Sequence, residues 1–310
     1  MKLKIKEIDI PKDEPFRFDA LNRQKHIEPL TNIIDSVDEP FVLSIDSSWG
    51  TGKTTFVKMW KQNLENNGYP TIYFNAWEND FTNEALASII SEIDYGVNEI
   101  KSKLSINPNT FKKIDKMKKA SYNLMKIGIP LIVRLGTSGV LDLSKITEKE
   151  IANILEKVAI EEIRKYENSK KSIIKFKSIL NDIIAELNKS EKIKDKPLII
   201  FIDELDRCRP NFAIELLEKV KHLFDIKGIV FILSIDKSQL KHSISSIYGS
   251  GMKADGYLRR FIDLEFTLPI PDEETFVKNL FTRYNFEEFF NGRTHNELID
   301  EDTQLITVFA

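Results

Sequence analysis

Gly50, Gly52, Lys53 and Thr54 are the first residues in this sequence whose types and spacing could do chemistry. They belong to the stretch SSWGTGKT, which follows the apolar run FVLSID and precedes a helical pattern. A loop between a strand and a helix points backbone N–H groups at one anion, and the helix N-terminus adds partial positive charge. The lysine would reach the β- and γ-phosphates, and the threonine hydroxyl would bind Mg²⁺. The stretch therefore predicts a loop that binds a nucleoside triphosphate.

The loop departs from the usual pattern G-x-x-x-x-G-K-[ST] at its first position, where Ser47 replaces glycine. Serine is small and stands where the loop begins, so we expect the site to tolerate it, with weaker nucleotide affinity as one consequence. The predicted nucleotide contacts come from Ser47, Ser48, Trp49, Gly50, Thr51, Gly52, Lys53, Thr54 and Thr55.

A second motif, LIIFIDELD at 198–206, ends an apolar run in carboxylates. An acid at the end of a neighbouring buried strand would lie beside the phosphate loop. Asp203 would then hold Mg²⁺, directly or through water, and Glu204 would orient and deprotonate the attacking water. Alone, such a segment could be a solvated strand end. The two motifs together, in this order, predict a site that hydrolyses a nucleoside triphosphate, with Lys53 and Glu204 as its catalytic residues.

Several polar residues nearby have two interpretations each. Asp206 and Arg207 would pair with each other or orient Glu204. Ser234 and Asp236, at the end of the run FILSID, are candidate sensors of the γ-phosphate, although Asp236 is equally well placed to cap a helix.

Arg259 and Arg260 precede another apolar run. An arginine there could stabilise transition-state charge across a subunit interface, and a plain surface pair is the alternative. A guanine-recognising Asn-Lys-x-Asp tetrad is absent from the sequence, so ATP is the favoured nucleotide.

Five short apolar runs are the elements that must position these residues. Each is rich in β-branched and aromatic residues, which is typical of strands buried on both faces of a parallel sheet. Helical patterns lie between them, so the sequence predicts a three-layer α/β fold with right-handed crossovers. The predicted strands are 41–46, 71–75, 198–203, 229–235 and 262–268, and the clearest helices are Thr54–Asn66, Asn83–Ile100 and Pro210–Phe224.

The alternation breaks between residues 101 and 196, which hold 22 Lys/Arg and 12 Asp/Glu, whereas the whole chain carries a net charge of −3. A capping box at Thr147–Glu150 and apolar positions at helical spacing up to Leu187 predict two amphipathic helices. They would cover the sheet or present a face to a partner. The lysine-rich stretch 111–126 would be a solvated helix face, or would bind nucleic acid, anionic lipid or an acidic partner.

The composition narrows the class of protein. Cys208 is the single cysteine, so an internal disulfide is excluded, and four scattered histidines do not suggest a zinc site. The best membrane-span candidate, 122–141, is interrupted by Lys126 and Arg134. We therefore expect a cytoplasmic protein without a transmembrane span.

Taken together, the motifs resemble those of the KAP family of P-loop NTPases. The matching segments are RFDALNRQKHIEPLTNII, SSWGTGKTTF, YFNAWEND, FIDELDRCRP, FILSIDKSQL and DGYLRRFIDLEFTLP. The resemblance implies a sheet with an extra strand between the loop strand and the acidic strand, and a catalytic glutamate beside the magnesium-binding aspartate. It also implies that Trp49 and Trp77 shape the nucleotide pocket and that Arg23 lies near the base and ribose.

The resemblance further suggests an ATP-driven switch or assembly motor, with bacterial phage defence as one setting and a homo-oligomer or other defence or signalling proteins as partners. A scaffold with little turnover and a nucleic-acid-binding protein are the alternatives. We expect residues 1–100 and 197–270 to form the NTPase core around a basic helical insertion, 101–196, that ends in a helix packed on the core. Because family members usually continue further, we expect 271–310 to be an incomplete C-terminal helical segment.

Overall fold

The computed structural model describes residues 8–82, 85–104, 176–190, 193, 195–284 and 286, with isolated helical positions between 160 and 174. These residues form a five-stranded sheet in the order β2-β3-β4-β1-β5, and every pair of neighbouring strands is parallel. The strands are β1 (Phe41–Asp46), β2 (Thr71–Asn75), β3 (Leu198–Asp203), β4 (Ile229–Ile235) and β5 (Leu264–Thr267). The helices are α1 (Gln24–Asp35), α2 (Lys53–Asn66), α3 (Ala85–Leu104), α4 (176–187), α5 (Pro210–Phe224), α6 (Lys237–Tyr248), α7 (Ala254–Leu258) and α8 (Glu273–Tyr284).

The first four strands have the bounds that the apolar runs predict. Every residue of β3 and β4 is buried, because each strand has a neighbour on both sides and helices on both faces. The fifth strand is shorter than the predicted 262–268 and consists of four largely exposed residues. It lies at the edge of the sheet, paired only with β1 among the described strands.

Strand β4 lies between β1, which precedes the phosphate loop, and β3, which ends in the acids. Asp203 on β3 pairs with Ser234 on β4, and Ser234 pairs with Ile45 on β1. The acidic strand is therefore not the direct neighbour of the loop strand. Two strand spacings put β3 roughly 10 Å from β1. This order confirms the extra strand that the family resemblance implies.

Helices cover both faces of the sheet and make three layers. On one face, α1 and α2 pack against β1, β3 and β4, with Phe56 and Trp60 fully buried beside Phe201. The opposite face is covered by α3, α4, α5, α6 and α7. The loop side chains that begin α2 therefore lie on the same face of the sheet as alternate residues of β3 and β4, which include Asp203 and Ser234.

The end of the predicted insertion packs on the core. Phe176, Leu180, Ile183 and Leu187 of α4 are buried in the same cluster as α3 and α5. In this stretch the second amphipathic helix lies over the sheet. The capping box at Thr147, the lysine-rich stretch 111–126 and the segment 122–141 lie outside the described residues.

Across the described ranges, no helix combines the length and apolar character needed to cross a membrane.

Candidate active site

The phosphate loop (47–54) has the backbone shape that its glycines permit. Gly50 and Gly52 have φ angles of 82° and 87°, in the left-handed region that other residues avoid. Helix α2 begins directly afterwards at Lys53. The loop thus joins the end of a buried strand to a helix N-terminus, which is the geometry that binds phosphate through backbone N–H groups.

Ser47 fits the position where the usual pattern has glycine. It is not among the described non-glycine residues with a positive φ, so the position needs no left-handed backbone here. Its hydroxyl lies 2.7 Å from the Thr51 hydroxyl, and its carbonyl accepts a hydrogen bond from Lys53 Nζ at 2.6 Å. The serine therefore closes the loop on itself.

The segment before α1 braces the loop from behind. Arg23 is 3% exposed and donates hydrogen bonds to the carbonyls of Thr51, at 3.1 Å, and Pro269, at 2.5 Å. Asp19 accepts from the backbone N–H groups of Arg23 and Gln24 at 2.9 and 2.8 Å, which caps α1. The contact of Arg23 with base and ribose stays a prediction, because its observed partners are main-chain carbonyls.

Asp203 ends β3 at 0% exposure and is held by two donors. One carboxylate oxygen accepts from the Tyr73 hydroxyl at 2.9 Å, and the other from the backbone N–H of Glu204 at 2.9 Å. The sequence interpretation missed Tyr73. A hydroxyl-bearing residue in a buried strand, two positions before Asn75, was the signal that could have found it.

Glu204 turns the chain sharply at the end of β3. Its φ of 60° is left-handed, which aims its side chain away from that of Asp203. The carboxylate accepts from Asn75 Nδ2 at 3.2 Å and pairs with Arg207 at 3.1 Å. Burial raises the pKa of Glu204, and the charge of Arg207 opposes that rise. A base with a raised pKa accepts a proton more readily near neutral pH.

Asp206 contacts the phosphate loop rather than its neighbour Arg207. It is 5% exposed, and its Oδ2 accepts a hydrogen bond from Trp49 Nε1 at 2.5 Å. The expected alternative of an Asp206–Arg207 pair is wrong, since Arg207 pairs with Glu204. Burial raises the pKa of Asp206, and the nearby charge of Lys53 opposes that rise.

Residues of the loop and of the acidic turn (203–207) line one cleft of about 270 Å³, although Asp203, Ser47 and Thr51 are not among its lining residues. The acidic side contributes Glu204, Asp206 and Arg207. Arg283, near the end of α8, also lines the cleft, and no signal in the sequence marked it. The remaining residues that line the cleft come from the N-terminal part of the chain and are Ile8, Ser48, Trp49, Gly50, Gly52, Lys53, Thr54 and Thr55.

The two candidate sensors have different surroundings. Ser234 is 0% exposed, in register with Asp203, and its hydroxyl has no hydrogen-bond partner in the described part of the chain. Asp236 caps α6: one carboxylate oxygen accepts from the backbone N–H groups of Ser238 and Gln239 at 3.0 and 3.2 Å. These contacts favour the capping interpretation for Asp236.

Arg259, Arg260 and Trp77 are also absent from the residues that line the cleft. Arg259 and Arg260 follow α7 and are exposed, with the Arg260 guanidinium 6.0 Å from the Tyr257 ring. Trp77 is 53% exposed, and Arg207 lies 5.9 Å from its ring.

Comparisons with known proteins show what the chain is similar to. A model of the KAP family P-loop domain matches residues 23–308. The chain is 29% identical over 176 residues to the uncharacterized protein MJ0182 of Methanocaldococcus jannaschii, covering 53% of this chain and 89% of that protein. The structure of the Aeropyrum pernix ORC2 protein in ADPNP–ADP complexes aligns with a TM-score of 0.42 at 15% identity, covering 85% of this chain and 52% of that one.

The chain therefore spans about half the length of ORC2. The family match extends over most of the chain and includes both the phosphate loop and the acidic turn. This chain belongs to the KAP family of P-loop domains.

Proposed function

We propose that the chain is a Mg²⁺-dependent ATPase that acts as a switch or assembly ATPase. One observation carries the proposal: the phosphate loop and the acidic turn line the same cleft and are joined by the hydrogen bond between Trp49 and Asp206. A loop that binds phosphate, beside a carboxylate that can activate water, is the minimum that phosphoryl transfer to water requires.

One residue at the start of α2 and one at the end of β3 fit a magnesium ion that arrives with the nucleotide. Thr54 and Asp203 offer oxygen ligands of the kind Mg²⁺ prefers, and this ion usually binds through one or two carboxylates, phosphates and water. Thr54 lines the cleft, whereas Asp203 is buried with both oxygens hydrogen-bonded and would hold the ion through water. The described residues contain no cluster of three or more His, Cys, Asp or Glu that could hold a metal. When bound, Mg²⁺ would neutralise charge that develops on the β- and γ-phosphate oxygens. The buried, unpartnered Ser234 hydroxyl supports its role as a sensor on the same face as Asp203.

Glu204 is the proposed general base. Asn75 and Arg207 fix its carboxylate from two sides, so it is held in one orientation before substrate arrives. Lys53 is buried in the loop with its Nζ on the Ser47 carbonyl, and it would exchange that carbonyl for phosphate oxygens. Arg283 would add a further positive charge to the cleft.

Glu204→Gln tests the chemistry. We expect the variant to bind ATP with wild-type affinity and to lose about 10²–10⁴-fold in turnover, as is typical when a general base is removed. Calorimetry measures the affinity and phosphate release measures the turnover. If wild-type turnover is slow and the variant loses nothing more, the chain is a nucleotide-binding scaffold. The ion pair between Arg207 and Glu204 is the observation that favours this alternative.

The switch is tested by assembly. We expect size-exclusion chromatography with light scattering to detect a larger species with ATP and Mg²⁺, and Lys53→Ala to remain at the nucleotide-free size. Arg259 and Arg260 are exposed, so they would act on the cleft of a neighbouring copy. Monomers under all conditions would remove the case for these arginines. A setting in phage defence stays a prediction from the family resemblance.

A further inference from the structure

Asp206 is a buried carboxylate that the proposed chemistry leaves unused. It lines the cleft and is 5% exposed, and its two oxygens differ in their hydrogen-bond partners. Oδ2 accepts from the Trp49 indole. The backbone N–H groups of Asp206 and Asp236 lie near the carboxylate, but the buried Oδ1 has no partner within hydrogen-bond distance in the described structure. An unsatisfied buried acceptor is costly, so it indicates that a donor is missing from the cleft.

The chemistry of the cleft narrows what that donor can be. A carboxylate accepts hydrogen bonds and repels phosphate oxygens, so a bare triphosphate would not satisfy Asp206. Lys53 is the nearby positive charge, but its Nζ already donates to Ser47 and would turn to the phosphates of a ligand. A hydrated divalent cation supplies both positive charge and water O–H donors, because Mg²⁺ keeps several of its waters when bound.

We propose that Asp206 adds to the metal dependence of nucleotide binding, beside the metal ligands Thr54 and Asp203. Asp206 Oδ1 accepts a hydrogen bond from a water of the Mg²⁺–triphosphate complex, while its Oδ2 holds the Trp49 indole in the phosphate loop. The inference rests on the proposed function, because it assumes that the cleft receives a nucleotide with its metal.

The hydrogen bond between Trp49 and Asp206 also makes Trp49 fluorescence a readout of the surroundings of Asp206. The Trp49 ring is 51% exposed, and its N–H is fixed to Asp206, so a change in the surroundings of this carboxylate reaches an exposed fluorophore. The other exposed tryptophan is Trp77, whereas Trp60 is fully buried. In a Trp77→Phe background, the emission change on ligand binding would therefore come chiefly from Trp49.

The test compares affinities with and without metal. A non-hydrolysable ATP analogue is titrated by calorimetry in Mg²⁺ and in EDTA, on wild type, Asp206→Asn and Asp263→Asn. We expect wild type to bind more tightly with Mg²⁺ than in EDTA, and Asp206→Asn to lose about tenfold of that ratio, the size of one charge-assisted hydrogen bond. Asp263→Asn is the matched control. It removes one negative charge beside the start of β1, at the opposite end of that strand from the loop, and should keep the wild-type ratio.

Two further measurements protect the test against a folding defect. Trp49→Phe keeps an aromatic side chain but removes the indole N–H donor. Any change in its affinity should be equal in Mg²⁺ and in EDTA, so its ratio should stay close to that of wild type. In the Trp77→Phe protein, which keeps Asp206, emission should change with the Mg²⁺-bound analogue and much less with the metal-free analogue at equal saturation.

Three outcomes would overturn the inference while leaving the proposed function intact. They are an unchanged ratio in Asp206→Asn, an equal loss of the ratio in Trp49→Phe, and an emission change that does not depend on metal. Failure of wild type to bind the analogue under either condition would instead overturn the proposed function itself.

Discussion

The phosphate loop and the acidic turn face each other across one cleft, but different kinds of contact hold them in shape. The loop closes mainly on itself: Ser47 bonds to Thr51, Thr51 to the Ser48 carbonyl, and Lys53 to the Ser47 carbonyl. Arg23 adds a brace from outside. Three of the hydrogen bonds that shape the loop therefore lie within its own residues.

The acidic turn depends on side chains from elsewhere in the chain. Tyr73 and Asn75, both on β2, bind the carboxylates of Asp203 and Glu204, and Trp49 binds Asp206. The Arg207–Glu204 pair and the bond from the Glu204 N–H to Asp203 are local. Asp203, Glu204 and Asp206 lie close together and repel one another, and the partners that stabilise them come largely from outside the turn. The comparison shows that contacts between residues close in sequence shape the phosphate loop. Contacts with residues distant in sequence orient the carboxylates of the acidic turn.

Lys53→Met should give the largest effect, a loss of ATP affinity. Without that loss, the comparison of the phosphate loop with the acidic turn would not hold. We expect ATP affinity to fall by about 100-fold, roughly 3 kcal/mol, because a charged donor to the phosphates is lost. Calorimetry measures the change. Lys61→Met is the control, since Lys61 lies in the same helix and pairs with Glu65 outside the cleft. Equal affinities for Lys53→Met and wild type would mean that the loop is not the phosphate site.

Tyr73→Phe tests whether the acidic turn needs a donor from β2. Removing the hydroxyl leaves one oxygen of the buried Asp203 without its donor, and we expect the free energy of unfolding to fall by about 1–3 kcal/mol. Urea denaturation measures it. Tyr95→Phe is the control, because the Tyr95 hydroxyl is exposed and 3.4 Å from Glu99, and it should change stability by less than about 0.5 kcal/mol. If Tyr73→Phe changes the free energy of unfolding as little as this control does, the acidic turn does not depend on a donor from β2.

Gly50→Ala tests whether the loop is held by its own backbone. A Cβ at Gly50 would meet no atom within 4 Å, so the only cost is the left-handed φ of 82°. We expect a loss of about 1–2 kcal/mol in unfolding free energy. Gly256→Ala in α7 is the control: it also meets open space, without a left-handed φ, and should stabilise the protein by up to about 1 kcal/mol. Equal results for the two alanines would contradict the strain argument.

The pH dependence of stability gives the smallest effect and sharpens the comparison. Burial raises the pKa of Glu204 in the folded state, so its ionisation disfavours folding. Its contribution is therefore fully present below the unfolded pKa and lost as pH rises through the folded pKa. Glu204→Gln cannot ionise, and its stability relative to wild type should increase over this pH range. Urea denaturation at several pH values checks this. Arg207→Met, which removes the opposing charge, should enlarge the pH dependence of the otherwise wild-type protein.

Much of the fold could be predicted from local pattern. The bounds of β1, β2, β3 and β4 follow from apolar runs, because strands buried in a parallel sheet are largely apolar along their whole length. The short β5 is the exception. The prediction extended it over 262–268, but an edge strand has fewer partners and ends sooner. Helix α3 is described from Ala85 and extends to Leu104, beyond its predicted end at Ile100, whereas its predicted start at Asn83 lies outside the described residues.

The candidate site was predictable in its composition but not in its contacts. Lys53, Asp203 and Glu204 carry patterns that indicate their chemistry, whereas Tyr73 has none beyond its place in a buried strand. The pairing of Arg207 with Glu204 instead of Asp206 could not be read from spacing, because the 3₁₀ turn at Leu205–Arg207 decides which neighbours meet. Arg283 lies on α8, which buries none of its own residues, so no apolar pattern ties it to the cleft.

The sequence by itself determined the strands, the glycine-dependent shape of the phosphate loop and the acids that follow β3, since all three depend on residues close together in the chain. Only the tertiary structure decided that Trp49 would meet Asp206, 157 residues away, and that β4 would separate the loop strand from the acidic strand. The physical reason is that strand order and side-chain partners follow from packing two layers of helices on the sheet, and short-range patterns carry no record of that packing.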